Sequence, residues 1–130
     1  MQATKVIGVW GEIVASRVLE ATGYQIIARN YRTFEGEVDI ICRWNNIVIF
    51  VEVKTRRSFC FGGGEESVDQ HKLLKLAKCG MRYRQEQAVD ATVDWRIDVI
   101  VIETIGKHFY GYRHYQNVLW EVDEKLLDDS

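Results

Sequence analysis

The sequence predicts an α/β fold in which a central mixed sheet is flanked by helices, with the element order αβββαββ. Apolar residues recur at helical spacing in two segments of the chain, and short β-rich runs occupy most of the remainder. The run WRIDVIVIE (residues 95–103) is apolar enough for a largely buried strand. Together these patterns favour helices packed on a sheet over an all-helical or all-β domain.

The elements follow in order from these patterns. The first helix is expected at about residues 7–21, where apolar residues repeat at helical spacing, and Gly23 ends it. The second helix is expected at about residues 69–87, after a glycine-rich loop at 62–64. Five strands are expected in chain order at residues 24–30, 37–43, 47–55, 95–103 and 109–118.

Length and composition indicate one domain at residues 1–120 and an acidic tail at 121–130, which holds five acids and the single base Lys125. No apolar run approaches the roughly 18 residues of a membrane helix, and the N-terminus lacks the features of a secretion signal. A cytoplasmic location without a membrane role is therefore expected. The three cysteines never form a C-x-x-C pair, so buried thiols are expected rather than a disulfide framework or zinc cluster.

The charge distribution is uneven along the chain. The overall net charge is −2, but residues 1–120 carry +2. Between residues 54 and 84 eight lysines and arginines face only three acids. This imbalance favours a local basic surface in spite of the acidic total.

A hairpin centred on Asn45-Asn46 fixes the register of the second and third strands. Two asparagines between β-rich runs match the two-residue loops that tolerate positive φ. If Trp44 pairs with Ile47, opposed residues have numbers that sum to 91. Alternate positions then form one apolar face, which is expected to be core and consists of Val38, Ile40, Cys42, Ile49, Val51 and Val53.

Charged residues converge on the other face, at the open end of this hairpin. The register places Asp39 opposite Glu52 and Glu37 opposite Lys54, with the two acidic Cβ atoms about 5 Å apart. Opposed like charges destabilise a sheet, and a divalent cation such as Mg²⁺ or Mn²⁺ would offset them. Lys54 would stabilise charge on a phosphate or orient an attacking water. A surface ion pair of little consequence is the alternative that periodicity leaves open.

The order Asp39, then Glu52-Val53-Lys54, resembles the signature of the PD-(D/E)xK nucleases. More specifically, the chain resembles the YraN family, which is similar to archaeal Holliday junction resolvases. The segments that carry this resemblance are Gly11-Glu12, GYQIIARNYRTFEGEVDII (23–41), VIFVEVKTRR (48–57), Phe61-Gly62 and RIDVIVI (96–102). They cover about residues 8–103, and GEVDII followed by FVEVKTR is a highly specific combination.

The resemblance implies a restriction-endonuclease-like fold and a defined set of site residues. Asp39 and Glu52 would be metal ligands and Lys54 the catalytic lysine, at the positions that the hairpin register reached independently. Glu12 would correspond to the first-helix acid that adds to the metal site, although its pattern alone favours a solvated helix position. Glu37 would support Lys54. The sequence departs from the family at Gly64, where proline is usual, and in its acidic end.

Several basic and polar residues are candidate contacts to nucleic acid. The second helix carries a basic stripe beside its buried face, and arginines flank the strands of the site. For an isolated helix of this kind a solvated face is the commoner explanation. The candidates are Arg29, Arg32, Arg56, Arg57, Gln70, Lys72, Lys75 and Arg82.

Other motifs are assigned no chemistry. The glycines at 62–64 are not followed by Gly-Lys-Ser/Thr, which excludes a P-loop and leaves a flexible hinge. The three histidines, His71, His108 and His114, lack ligand spacing. Aromatic residues of the last strand favour sheet packing or a subunit contact, consistent with a homodimer.

The sequence leaves three functions open. The leading hypothesis is a Mg²⁺- or Mn²⁺-dependent endonuclease that hydrolyses DNA, including branched or distorted DNA. The alternative is a non-catalytic nucleic-acid-binding module or complex subunit on a nuclease-like scaffold. A protein-interaction domain is a weaker third hypothesis, based on the acidic tail and the aromatic last strand.

Overall fold

The computed structural model of the protein describes residues 2–57 and 70–118, with side chains described from residue 8 onward. The glycine-rich loop at 62–64, Cys60 and the acidic tail at 121–130 lie outside the described residues. The elements are α1 (Gln2–Ala21), β1 (Gln25–Thr33), β2 (Gly36–Trp44), β3 (Ile47–Arg57), α2 (Gln70–Glu86), β4 (Asp94–Ile105) and β5 (His108–Tyr115). This order confirms the predicted αβββαββ arrangement.

The five strands form one mixed sheet in the order β1-β2-β3-β4-β5. Only β3 and β4 run parallel, while the other neighbours are antiparallel. A parallel neighbour requires a crossover connection, and α2 lies in the segment between these two strands. The predicted mixed α/β class is therefore confirmed.

Helix α1 ends where the sequence predicts. Gly23 adopts a positive φ of 100°, a conformation that costs glycine little. The amides of Gly23 and Tyr24 donate to the carbonyls of Glu20 and Leu19, which satisfies the last turn of the helix. The chain then enters β1.

Each face of the sheet carries its own apolar core. Helix α1 covers one face, whose buried residues include Ala15, Leu19, Ile40, Cys42, Ile49, Val51, Ile100 and Ile102. Helix α2 covers the other, whose buried residues include Val38, Ile41, Phe50, Leu73, Leu76, Ile97, Val99 and Val101. We refer to these as the α1 face and the α2 face. Sheets in α/β domains are covered on both faces in this way.

The predicted hairpin register is confirmed along most of its length, with one error of facing. Asn45 has a φ of 53°, and the pairs run from Trp44 with Ile47 to Ile40 with Val51. Val38 was expected beside Ile40, but it packs on the α2 face instead. The reason is local: regular alternation in β2 is interrupted between these two residues, beside an irregularity in β1.

The last predicted strand extended too far. β5 ends at Tyr115, because Asn117 takes a φ of 54° that a strand does not allow. The amide of Asn117 donates to Asp98 Oδ1 at 2.9 Å, so the turn is anchored to β4. Val118 is buried in the α2-face core rather than continuing the strand.

Asp98 is the centre of a buried polar cluster that sequence patterns did not indicate. Its side chain is fully buried, and Arg96 donates to both of its oxygens, at 2.9 and 3.1 Å. His114 Nε2 lies 2.7 Å from Oδ2, and Arg96 also donates to the Tyr24 hydroxyl at 3.0 Å. The cluster therefore ties β4 and β5 to the end of α1.

Two further predictions concern the rest of the chain. Cys42 and Cys79 are buried free thiols, as expected for them. Neither described helix combines the length and the apolar character that crossing a membrane would require.

Candidate functional site

The candidate site lies where β2 and β3 separate. The last backbone pair between them is Ile40 with Val51, one position short of the expected Asp39–Glu52 pair. Instead of that pairing, Asp39 Oδ2 accepts a hydrogen bond from the Val53 amide at 2.8 Å. The Asp39 carboxylate thus accepts a backbone amide as a strand carbonyl normally does. Asp39 therefore lies at the point where β2 and β3 separate, which we call the fork.

An irregularity in β1 accompanies this fork. Asn30 has a φ of 53°, and the β1–β2 pairing skips it between Arg29–Ile40 and Tyr31–Val38. With its amide nitrogen facing the carboxylates, Asn30 donates to Glu12 Oε2 and Glu37 Oε1, both at 3.0 Å. Asparagine tolerates positive φ better than most other non-glycine residues do, so an asparagine inside a β-rich run was the available signal.

Glu12 reaches the fork from α1, as the resemblance implied. Its carboxylate is close enough to that of Asp39 for the two groups to affect each other's ionisation. The preceding residue, Gly11, brings α1 close to β3, because a Cβ atom there would lie 2.1 Å from Thr55 Oγ1. Close packing of the helix on the strand therefore places the Glu12 carboxylate.

Glu52 and Lys54 extend the site along β3. Pairing of β3 with β4 is uninterrupted from Ile47 to Arg57, so these two side chains project from the same face. Glu52 is only 6% exposed, and Lys72 Nζ of α2 lies 2.7 Å from its Oε1. Lys72 was predicted as a nucleic-acid contact, and in this structure it forms an ion pair with Glu52.

A cavity of about 430 Å³ opens at the fork. Its lining includes Glu37, Asp39 and Glu52 from the sheet. Helix α2 contributes His71, Lys72 and Lys75 to the opposite wall. Sequence reasoning assigned His71 no chemistry, and only the crossover through α2 brings it here.

Burial and neighbouring charges raise the pKa values of two of these carboxylates, Asp39 and Glu12. Burial and then the charge of Glu52 raise the pKa of Asp39 to about 7, against the opposing hydrogen bond from Val53, and Glu12 and Glu37 add to the rise. Burial, followed by the charge of Glu37, also raises the pKa of Glu12. Ionised carboxylates are therefore held closer together than their charges favour.

The donor chemistry at the fork fits a hard divalent cation. Asp39, Glu52 and Glu12 supply oxygen atoms, which Mg²⁺ and Mn²⁺ prefer, and a bound cation would offset the repulsion from Glu52 that adds to the effect of burial on the pKa of Asp39. Across residues 8–57 and 70–118, no three His, Cys, Asp or Glu side chains already form a ligand group. A cation at Glu52 would have to displace the Lys72 ammonium.

The remaining predicted contacts are not among the residues that line this cavity. Arg29, Arg57 and Gln70 are exposed, while Arg56 is half-buried. The Arg32 side chain is 80% exposed and lies 3.8 Å from Glu37. Arg82 is engaged elsewhere, because its Nε donates to both carboxylate oxygens of Glu35, at 3.1 and 3.0 Å.

Comparison with known proteins gives the family. The model of uncharacterised protein family UPF0102 matches residues 11–102, from Gly11 to the middle of β4. The chain belongs to the UPF0102 family. The match confirms the resemblance to the YraN family, and it spans all four carboxylates at the fork.

Relatives within UPF0102 align along most of their length. A UPF0102 protein of Beutenbergia cavernae is 41% identical over 102 residues, which cover 78% of this chain and 86% of the relative. One of Alkaliphilus oremlandii is 39% identical over 115 residues, covering 87% and 97%. One of Sulfurihydrogenibium sp. is 38% identical over 96 residues, covering 74% and 83%.

Proposed function

We propose that this UPF0102 protein is a metal-dependent endonuclease that hydrolyses phosphodiester bonds in DNA. The observation that carries the proposal is the convergence of Asp39, Glu52 and Glu12 at a fork between two strands, beside a cavity with a basic wall. A strongly raised pKa such as that of Asp39, in a carboxylate beside a cavity, is typical of functional sites. The proposal includes a restriction-endonuclease-like scaffold and membership of the PD-(D/E)xK superfamily.

Each residue has a role in this proposal. Asp39, Glu52 and Glu12 would hold Mg²⁺ or Mn²⁺, which would polarise the phosphate and help to generate a hydroxide nucleophile. Lys54, on the same face of β3 as Glu52, would stabilise charge that develops on the phosphate. Asn30 keeps the Glu12 and Glu37 carboxylates in position through its amide. The Val53 amide fixes the orientation of Asp39.

Basic residues around the cavity would bind the DNA backbone. Lys75 lines the cavity, and the exposed Arg29 and Arg32 lie on β1 beside it. Lys72 would exchange its contact with Glu52 for a phosphate oxygen when a cation binds. Such contacts supply sequence-independent affinity that weakens as salt increases.

The test is cleavage of labelled linear and branched DNA with Mn²⁺, Mg²⁺ or EDTA. The expected result is cleavage that requires the cation and falls by at least about a hundredfold in Asp39→Asn and Glu52→Gln, each of which nearly preserves side-chain shape. Glu20→Gln is the matched control, because Glu20 is exposed on α1. Intact substrate with the wild-type protein under every condition would overturn the proposal.

One observation favours the alternative, a non-catalytic nucleic-acid-binding module. Lys72 already neutralises Glu52 at 2.7 Å, so that acid has a partner without a cation. This alternative predicts salt-sensitive DNA binding that is unaffected by EDTA and lost in Lys75→Ala. Cation-dependent cleavage by the wild-type protein, abolished in Asp39→Asn, would exclude it.

A further inference from the structure

Phe34 stands out on the surface. It lies in the turn between β1 and β2 and is 96% exposed, whereas the other exposed large apolar residues of the described chain reach at most 55%. Burying an aromatic side chain is favourable, so a fully exposed one forgoes that gain. Single exposed apolar residues are common, however, and exposure alone decides nothing.

The turn that carries Phe34 is held in place on both sides. Thr33 Oγ1 accepts hydrogen bonds from the amides of Glu35 and Gly36, at 3.1 and 3.3 Å. Arg82 of α2 donates hydrogen bonds to both carboxylate oxygens of Glu35. The turn is therefore fixed to α2, and the ring is presented from a rigid support. Preorganisation of this kind lowers the entropic cost of binding.

The turn also leads directly into the candidate site. Gly36 and Glu37, which follow it, line the cavity at the fork. Asp39 is five positions after Phe34 in the chain, which corresponds to a span of at most about 17 Å between the two residues. This equals about five nucleotide rises along one DNA strand. Arg32, whose side chain is 80% exposed and lies 3.8 Å from Glu37, flanks the turn and would be available to a phosphate.

We propose that Phe34 inserts between bases at an open step in DNA, at a branch point, nick or bulge, and so directs the site to distorted DNA. This inference rests on the proposed function and names the substrate class of the same site. Apolar side chains wedge between base steps in DNA-bending proteins, and unstacking an intact step costs free energy. An open step avoids much of that cost, so the wedge selects for it. The bond that is cut would then lie within about five nucleotides of the open step.

The test compares Phe34→Ala with Phe109→Ala. Phe109 is 46% exposed and lies on β5, the edge strand opposite β1. Its replacement by alanine removes the same side chain at a distant position. Binding is measured in EDTA, to separate it from cleavage, with a four-way junction and a linear duplex of the same sequence. In Phe34→Ala, the ratio of affinity for the junction to affinity for the duplex should be about tenfold lower than in the wild-type protein. Phe34→Trp, which retains stacking, and Phe109→Ala keep that preference.

A fluorescent 2-aminopurine at the branch point gives a second readout. Wild-type protein should change its emission by unstacking it, and Phe34→Ala should not. Equal loss of affinity for junction and duplex would overturn the inference, as would an unchanged preference in Phe34→Ala. An unchanged preference together with altered oligomeric state would assign Phe34 to a contact between protein chains. If the wild-type protein cleaves DNA but Phe34→Ala keeps the wild-type preference for the junction, only this inference is refuted. If the wild-type protein neither binds nor cleaves DNA, the proposed function is refuted as well.

Discussion

Replacing Gly11 with alanine tests how the first helix delivers Glu12 to the site. Alanine favours an α-helix over glycine by about 1 kcal/mol. Against this, the new Cβ would lie 2.1 Å from Thr55 Oγ1 and 3.4 Å from Thr55 Cβ, which requires the side chain or the helix to move. Overpacking of this kind typically costs about 1–3 kcal/mol. We expect the steric cost to equal or exceed the gain in helix propensity.

Gly8→Ala is the matched control in the same helix. A Cβ at Gly8 would meet no atom within 4 Å, so only the helix preference applies there, and stability should rise by up to about 1 kcal/mol. The free energy of unfolding from urea titration should therefore be about 1–3 kcal/mol lower in Gly11→Ala than in Gly8→Ala. Thr55→Ala in the Gly11→Ala background should recover part of this difference. Equal stability of the two single variants would refute the close packing of α1 on β3, and with it the placement of Glu12.

Three other variants probe the charged groups. Because burial and the charge of Glu52 raise the pKa of Asp39 to about 7, wild-type stability should decrease as pH rises from about 4 through 7. The melting temperature of Asp39→Asn should exceed that of wild type at pH 8 and equal it at pH 3.5. The same difference in melting temperature at both pH values would contradict this. Lys72→Met should bind Mn²⁺ about fivefold more tightly in calorimetry, since the Lys72 ammonium no longer competes with the cation for Glu52. Unchanged or weaker affinity for Mn²⁺ would count against that competition. Asp98→Asn should lower unfolding free energy by about 3–5 kcal/mol in urea, because Arg96 would keep a buried charge, and a loss below 1 kcal/mol would contradict it.

Acid should weaken the wild-type protein through the same buried cluster. Burial opposes ionisation of Asp98, but hydrogen bonds from His114, Arg96 and the Asn117 amide outweigh it and hold the pKa below its usual value. The stability that this group contributes is present above pH 4 and is lost as pH falls further.

Local signals were sufficient for the order of the elements and for most of the hairpin. The Asn45-Asn46 turn set the register because a two-residue loop leaves only one pairing of its flanking residues. Period-two alternation then located the buried faces of β2 and β3. The same alternation failed at Val38, since it assumes an uninterrupted strand, and β2 is interrupted beside Asn30. The interruption coincides with the positive φ of Asn30, which period-two alternation does not record.

The site was predictable in part for a related reason. Asp39, Glu52 and Lys54 lie in adjacent strands, so hairpin register and family resemblance both bring them together. Lys72 reaches Glu52 only through the crossover from β3 to α2, 20 residues along the chain. The Asp98 cluster likewise joins residues from β4, from β5 and from the connection between α1 and β1, and its members lack motif spacing. Contacts of this kind follow from tertiary packing rather than from sequence periodicity.

Calorimetric titration of Mn²⁺ at pH 8 tests the central claim most directly, because Asp39 is ionised above its pKa of about 7. Saturable binding is predicted for the wild-type protein and for Glu20→Gln, with loss of at least tenfold in affinity for Asp39→Asn and for Glu52→Gln. Absence of binding by the wild-type protein, or equal affinity in all four proteins, would contradict a divalent cation at the fork.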